Sequence, residues 1–163
     1  MISLVLVHVL ISLVGIVSGF VVVFGLIGGR HLDRWTALFL VSTILTSLSG
    51  FILPAHKLLP SHIIGLISLL VLALACFARY RRTLAGGWRS TYVVSASVAL
   101  YFNVFVLVVQ SFLKIPALKT LAPTQSEPPF AIVQGIVLVS FVVLGVLAVR
   151  GFCAAPQSLA AAG

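Results

Sequence analysis

Acidic side chains are almost absent from this chain: among 163 residues only Asp33 and Glu127 carry a carboxylate. Paired-carboxylate catalysis, and metal sites built on several carboxylates, are excluded unless another subunit contributes. Cysteine is just as scarce. Cys76 and Cys153 both fall near helix ends assigned below to the cytoplasmic side, which argues against a structural disulfide and against quinone-linked thiol chemistry. Each reads as a small hydrophobe. The glycines of Gly25 to Arg30 lack a Gly-Lys-Ser/Thr ending, and neither Gly-x-Ser-x-Gly nor His-Glu-x-x-His occurs, so phosphate-loop, serine-hydrolase and zincin readings fall away.

Charge of any kind is rare. Charged residues make up 7% of the chain and hydrophobic ones 61%, with a mean hydropathy of +1.29, whereas soluble domains carry roughly 25% charged residues. A membrane span needs about 20 apolar residues, and backbone in lipid must satisfy its own hydrogen bonds. The expected fold is therefore all-α: one integral membrane domain of five transmembrane helices, near 2–27, 35–53, 61–80, 88–113 and 127–150. Gly28-Gly29 punctuates the first, Pro54 the second, the Arg79, Arg81, Arg82 cluster the third and Arg150-Gly151 the last. Ser126 is the candidate N-cap of the fifth, with Pro128 and Pro129 in its first turn. The first run lacks a basic n-region and exceeds the roughly 7–15 residues of a signal h-region, so it is expected to stay as a helix. The Ala-rich 154–163 is expected to fray, and the Pro-flanked loop from Ile115 to Gln125 to lie on the outer surface as one or two helical turns.

The net charge of +8 comes from basic residues at the ends of apolar runs, without the interleaved aromatics of a base-stacking surface. Lipid phosphates, not nucleic acid, are the expected partners. Arg30, Arg34, Arg79, Arg81, Arg82, Arg89 and Arg150 fall on one side, and only Lys57, Lys114 and Lys119 on the other. The positive-inside rule then puts the N-terminus outside and the C-terminus in the cytoplasm. Arg79, Arg81, Arg82 and Arg89 become headgroup and topology residues, and Trp35, Tyr80, Trp88 and Tyr92 mark the inner interface. The two acids fall on opposite faces. Asp33, flanked by Arg30 and Arg34, reads as a local ion pair or a helix-starting cap. No internal repeat is evident, and an odd helix number disfavours inverted duplication.

Polar groups at membrane depth are costly and point to function. His8, His62, Asn103, Gln110 and Gln134 converge on the outer half, and are the candidate ligand-binding residues. Asn103 and Gln110, seven apart, share a face with Ala96 and Ala99; His8, Ser12, Gly15 and Gly19 share another, with Gly15-x-x-x-Gly19 allowing close helix approach. Interhelical hydrogen bonding alone would also account for them. Sharper versions are a b-type haem between His8 and His62, and a metal site at His8, His56 and His62.

His31, Ser49-Gly50-Phe51, Ser61-His62 and Arg79-Tyr80-Arg81-Arg82 before Trp88 together resemble small uncharacterised bacterial polytopic membrane proteins. The resemblance covers residues 31–88 and implies a bacterial inner-membrane protein, with attention on His31 and His62 and no activity to transfer. The expected function is a non-enzymatic inner-membrane protein: a small subunit, assembly or structural partner, within a complex or a homo-oligomer, needing no cofactor. The alternative is an outer-side pocket for haem or quinone, and the third reading is a transporter of an uncharged or anionic solute.

Overall fold

The computed structural model describes residues 2–52 and 60–155, with side chains over 4–52 and 63–155. Six α-helices run as α1 (Ile2–Ile27), α2 (Asp33–Ile52), α3 (Pro60–Cys76), α4 (Trp88–Lys114), α5 (Pro116–Leu121) and α6 (Pro128–Ala154), with a π turn, Phe77–Arg81, extending α3. Among the described residues, five helices are long and apolar enough to cross a membrane, all except α5. The short α5 is the helical segment expected in the loop.

Helices α1 to α4 pack as a ring, each against the next and α4 back onto α1, and α6 lies along α1 and α4. The buried core gathers at one end of this bundle: Val22, Val23 and Leu26 of α1, Phe39 and Leu40 of α2, Leu72 and Ala75 of α3, Tyr92 and Ala96 of α4, Ala148 and Phe152 of α6. These residues come from the ends of α1, α3 and α6 and the starts of α2 and α4. Those are the termini where the arginines lie.

The helix ends follow local chemistry, with four corrections. Gly29, at φ +69°, closes α1 in the left-handed conformation, and the Arg30 N–H donates to the Gly25 carbonyl at 2.9 Å, as its glycines suggested. First, α2 begins at Asp33, two residues earlier than expected. Second, the cap of α6 is Glu127, not Ser126, with prolines at the first helical positions; a residue before proline is held extended, which suits a cap. Third, α6 passes through Gly151 to Ala154, because that glycine permits contact with α1 and does not terminate the helix. Fourth, Tyr92 is fully buried in the core, not an interface residue. Of the expected frayed tail, Ala154 ends α6, Ala155 is anchored as described below, and 156–163 lie outside the described residues.

The Gly15-x-x-x-Gly19 face works as read. A Cβ on Gly19 would sit 2.5 Å from Leu100 Cδ1 and 2.9 Å from the Phe39 ring, so α1, α2 and α4 pack closely there and a side chain would have to displace Leu100 and Phe39. Gly19→Val is expected to lower stability by about 1–3 kcal/mol through overpacking, read as a reduced melting temperature in detergent. Gly50→Ala, whose Cβ would find only His8 Cε1 at 3.8 Å, should leave it unchanged.

At the opposite end the Glu127 carboxylate folds back onto its own turn, accepting from Thr124 N at 3.1 Å, Thr124 Oγ1 at 2.9 Å and Ser126 N at 3.0 Å. Desolvation pushes its carboxyl up, but the bonds from Thr124 and Ser126 outweigh that and leave it below its ordinary value. A depressed carboxylate stabilises the fold above the unfolded pKa, and that stability is lost as pH falls through the folded pKa. Amide exchange at Thr124 and Ser126, corrected for intrinsic rate, should accelerate as pH falls through that range. Glu127→Gln should remove the step, and a wild type without one would contradict the assignment.

Candidate functional site

Of the residues singled out from sequence as a ligand site, His8, Asn103 and Gln134 each bond to a different partner among the described residues. His8 Nδ1 lies 2.7 Å from Ser49 Oγ. That hydrogen bond holds α1 to α2, and the Ser49 hydroxyl also lies 3.1 Å from the Thr46 carbonyl. Asn103 Nδ2 donates to Thr43 Oγ1 at 3.2 Å, joining α4 to α2. Gln134 Nε2 donates to the Phe105 carbonyl at 3.2 Å, joining α6 to α4, while its Oε1 is buried without a partner. Gln110 is half-buried on α4. Three different helix pairs are thus fastened by three separate bonds. His56 and the His62 side chain lie outside the described residues, and among those described no three His, Cys, Asp or Glu side chains gather to hold a metal ion. Cys76 and Cys153 are free thiols.

A site does form at the arginine-rich end. Helix α3 finishes in the π turn, where the Arg82 N–H reaches the Phe77 carbonyl at 3.1 Å, and the chain then turns through Thr83 at φ 48° and Leu84 at φ 57°. Two successive non-glycine residues in the left-handed region cost on the order of 1–3 kcal/mol each, and both this and a π turn recur at functional positions. The turn buries Leu84 and carries Arg79 inward. Arg79 pairs with Asp33, 46 residues away, which corrects the expectation of a local pair with Arg30 or Arg34. The Arg79 side chain is 8% exposed and Asp33 74%, and the guanidinium lies 5.3 Å from the Tyr92 ring centroid and 5.7 Å from that of Tyr80. A carboxylate and two aromatic faces together replace the hydration a buried cation loses.

Two more of these arginines also make contacts within the fold. Arg82 sits over Phe77 and Trp88, at 5.6 and 5.1 Å. Arg89 lies 4.9 Å from the Phe152 ring and donates to the carbonyls of Phe152 at 2.5 Å and Ala155 at 3.1 Å, satisfying the open C-terminus of α6. Of the four, Arg81 alone stays exposed with no bond, ion pair or ring contact among the described residues.

Between the start of α2 and the end of α3 lies an open cleft of about 600 Å³, walled by His31, Asp33, Arg34, Arg79, Tyr80 and Thr83 among others. The His31 ring rests 4.6 Å from that of Phe152. Partial burial, then the nearby Arg79, hold its pKa below the usual imidazole value, against an opposing pull from Asp33, so it is neutral at neutral pH and offers one N–H and one lone pair. The cleft contains cations, hydroxyls and an imidazole, but no thiol or second carboxylate. The charges of Arg34 and Arg79 against that of Asp33 leave its wall net positive. A separate groove of about 420 Å³ between α4 and α6 is almost wholly apolar, with Tyr101 and Phe141 in its wall and Arg150 at one end.

Sequence reasoning treated Arg79 as a headgroup anchor. Its spacing from Leu72 and Ala75, seven and four residues upstream, places it on the inward face of α3, and that periodicity is the available signal. The Asp33 partner leaves no such trace, because the contact joins separate helices. No known protein family, curated protein or solved structure matches the chain.

Proposed function

We propose that the protein is a non-enzymatic multi-pass protein of a bacterial inner membrane, N-terminus outside and C-terminus in the cytoplasm, serving as a small subunit or assembly partner of a membrane complex. The observation that carries this reading is the construction of the arginine-rich end. There Arg79, Arg82 and Arg89 lock helix termini together around a cleft whose only acid is committed to Arg79, while Glu127 lies at the far end of the bundle. Such a surface offers a partner fixed charge and hydrogen-bonding groups held in place by the fold. The orientation rests on the seven-to-three asymmetry of basic residues, and the bacterial setting on the resemblance over residues 31–88. Helix α6, the least buried of the five spans, exposes an apolar stripe of Ile132, Ile136, Val139 and Val143, a face open to a partner helix as well as to lipid.

Gentle detergent extraction of the tagged full chain tests it: a stoichiometric membrane partner should copurify, and a homogeneous, self-contained oligomer would count against it. On this reading the purified protein shows no Soret absorption. A Soret band abolished by His8→Ala would replace the reading with haem binding.

A further inference from the structure

We propose that the cleft at the arginine-rich end binds a phosphate ester, held by Arg34 with the hydroxyls of Tyr80 and Thr83. Charge and donor geometry carry the inference. Arg79 is already matched by Asp33, so the wall has one uncompensated charge, that of Arg34, which is exposed and has no bond, ion pair or ring contact among the described residues. Arg34 also stands in the first turn of the 20-residue α2, where the helix dipole adds to its pull on an anion. Tyr80 comes from the π turn and Thr83 from the left-handed turn. The residues that line the cleft therefore come from separate elements, and can surround a tetrahedral phosphate from more than one side. Neutral His31 contributes an N–H without adding charge.

The open cleft has room for more than a bare oxyanion. About 600 Å³ falls within the range of small-molecule pockets and leaves space for the group that bears the phosphate. Two sources share this chemistry: the headgroup of an anionic phospholipid, which the membrane supplies at the ends of spanning helices, and a soluble phosphate monoester. The inference goes beyond the subunit role and holds whichever face of the membrane the cleft occupies.

The full-length protein in neutral detergent is titrated with phosphatidylglycerol in mixed micelles and, separately, with glycerol phosphate, and thermal stabilisation is followed. Saturable stabilisation is expected, with Arg34→Gln weakening it about tenfold or more, as loss of a charge-assisted pair does. The double variant Tyr80→Phe, Thr83→Ala should weaken it by a smaller factor, and Arg150→Gln, outside the cleft, should not change it. Saturation by phosphatidylglycerol alone assigns the headgroup, and saturation by glycerol phosphate at millimolar concentration or below assigns the soluble ester. Failure of both probes to saturate, wild-type binding by Arg34→Gln, or equal weakening by Arg34→Gln and Arg150→Gln would overturn the proposal. Because the assay uses no partner and no sealed membrane, its result is independent of the subunit and orientation readings.

Discussion

Gly151→Ala is expected to be among the most damaging single-methyl changes in this protein. Helix α6 crosses the end of α1 with no side chain between them: a Cβ on Gly151 would overlap the Ile27 carbonyl oxygen, lie 2.7 Å from its carbonyl carbon and 3.0 Å from the Leu26 oxygen. A flexible side chain could move aside, but these are backbone atoms fixed by the closing turn of α1. Relief requires α6 to move off α1, which also strains the Arg89 bonds to Phe152 and Ala155. Overpacking typically costs about 1–3 kcal/mol, and a backbone obstacle puts this site at the upper end or above. The melting temperature in detergent should fall by several degrees, or folded protein should be lost. Gly135→Ala, on the same helix with nothing within 4 Å of the added methyl, should be neutral or slightly stabilising, since alanine is the better helix former. Equal damage at both positions would show that the helix is sensitive throughout and that the crossing is not special.

Arg79 carries the second large effect. Arg79→Ala removes a buried side chain together with its ion pair and two ring contacts, and leaves a void beneath the left-handed turn. Breaking a buried pair costs roughly 3–5 kcal/mol; Asp33 is mostly exposed and rehydrates, which lowers the expectation to about 2–4 kcal/mol. Asp33→Asn should cost less, on the order of 1 kcal/mol, because Arg79 keeps both rings. Arg79→Lys should fall between the two, since an ammonium lacks the planar face. Unfolding midpoints of the three variants in one detergent check the order. If Asp33→Asn proved worse than Arg79→Ala, the ion pair and not the packed guanidinium would be the main contribution.

Much of the fold was legible because membrane helices are written as long apolar runs with conspicuous ends. Gly28-Gly29 and the prolines at 128 and 129 marked their boundaries through backbone geometry alone. Gly151 was misread for the same reason: a glycine near a helix end looks like a terminator, and only the path of α1 makes it a point of contact. The site was less legible. Sequence drew attention to His8, Asn103 and Gln134 because polar groups in apolar runs stand out, yet each is occupied by a bond to a neighbouring helix. Arg79 was hidden among three similar arginines, distinguished from Arg81 by helical phase, and its partners Asp33 and Tyr92 lie on helices whose relative placement no local pattern encodes. Basic residues that look like a uniform topology signal differ in their contacts: Arg79 and Arg89 are tied into the fold, Arg82 lies exposed over two rings, and Arg34 and Arg81 are among those exposed with no side-chain contact among the described residues.

On the proposed reading, the arginine-rich end of the five-span bundle, with its cleft, faces the cytoplasm. Single cysteines at Arg81→Cys and Lys119→Cys, each in a Cys76→Ala, Cys153→Ala background, test it most directly. In intact cells a membrane-impermeant maleimide should label Lys119→Cys and spare Arg81→Cys, and Arg81→Cys should react once the membrane is opened. Labelling of Arg81→Cys from outside, or of both positions from the same side, would contradict the account.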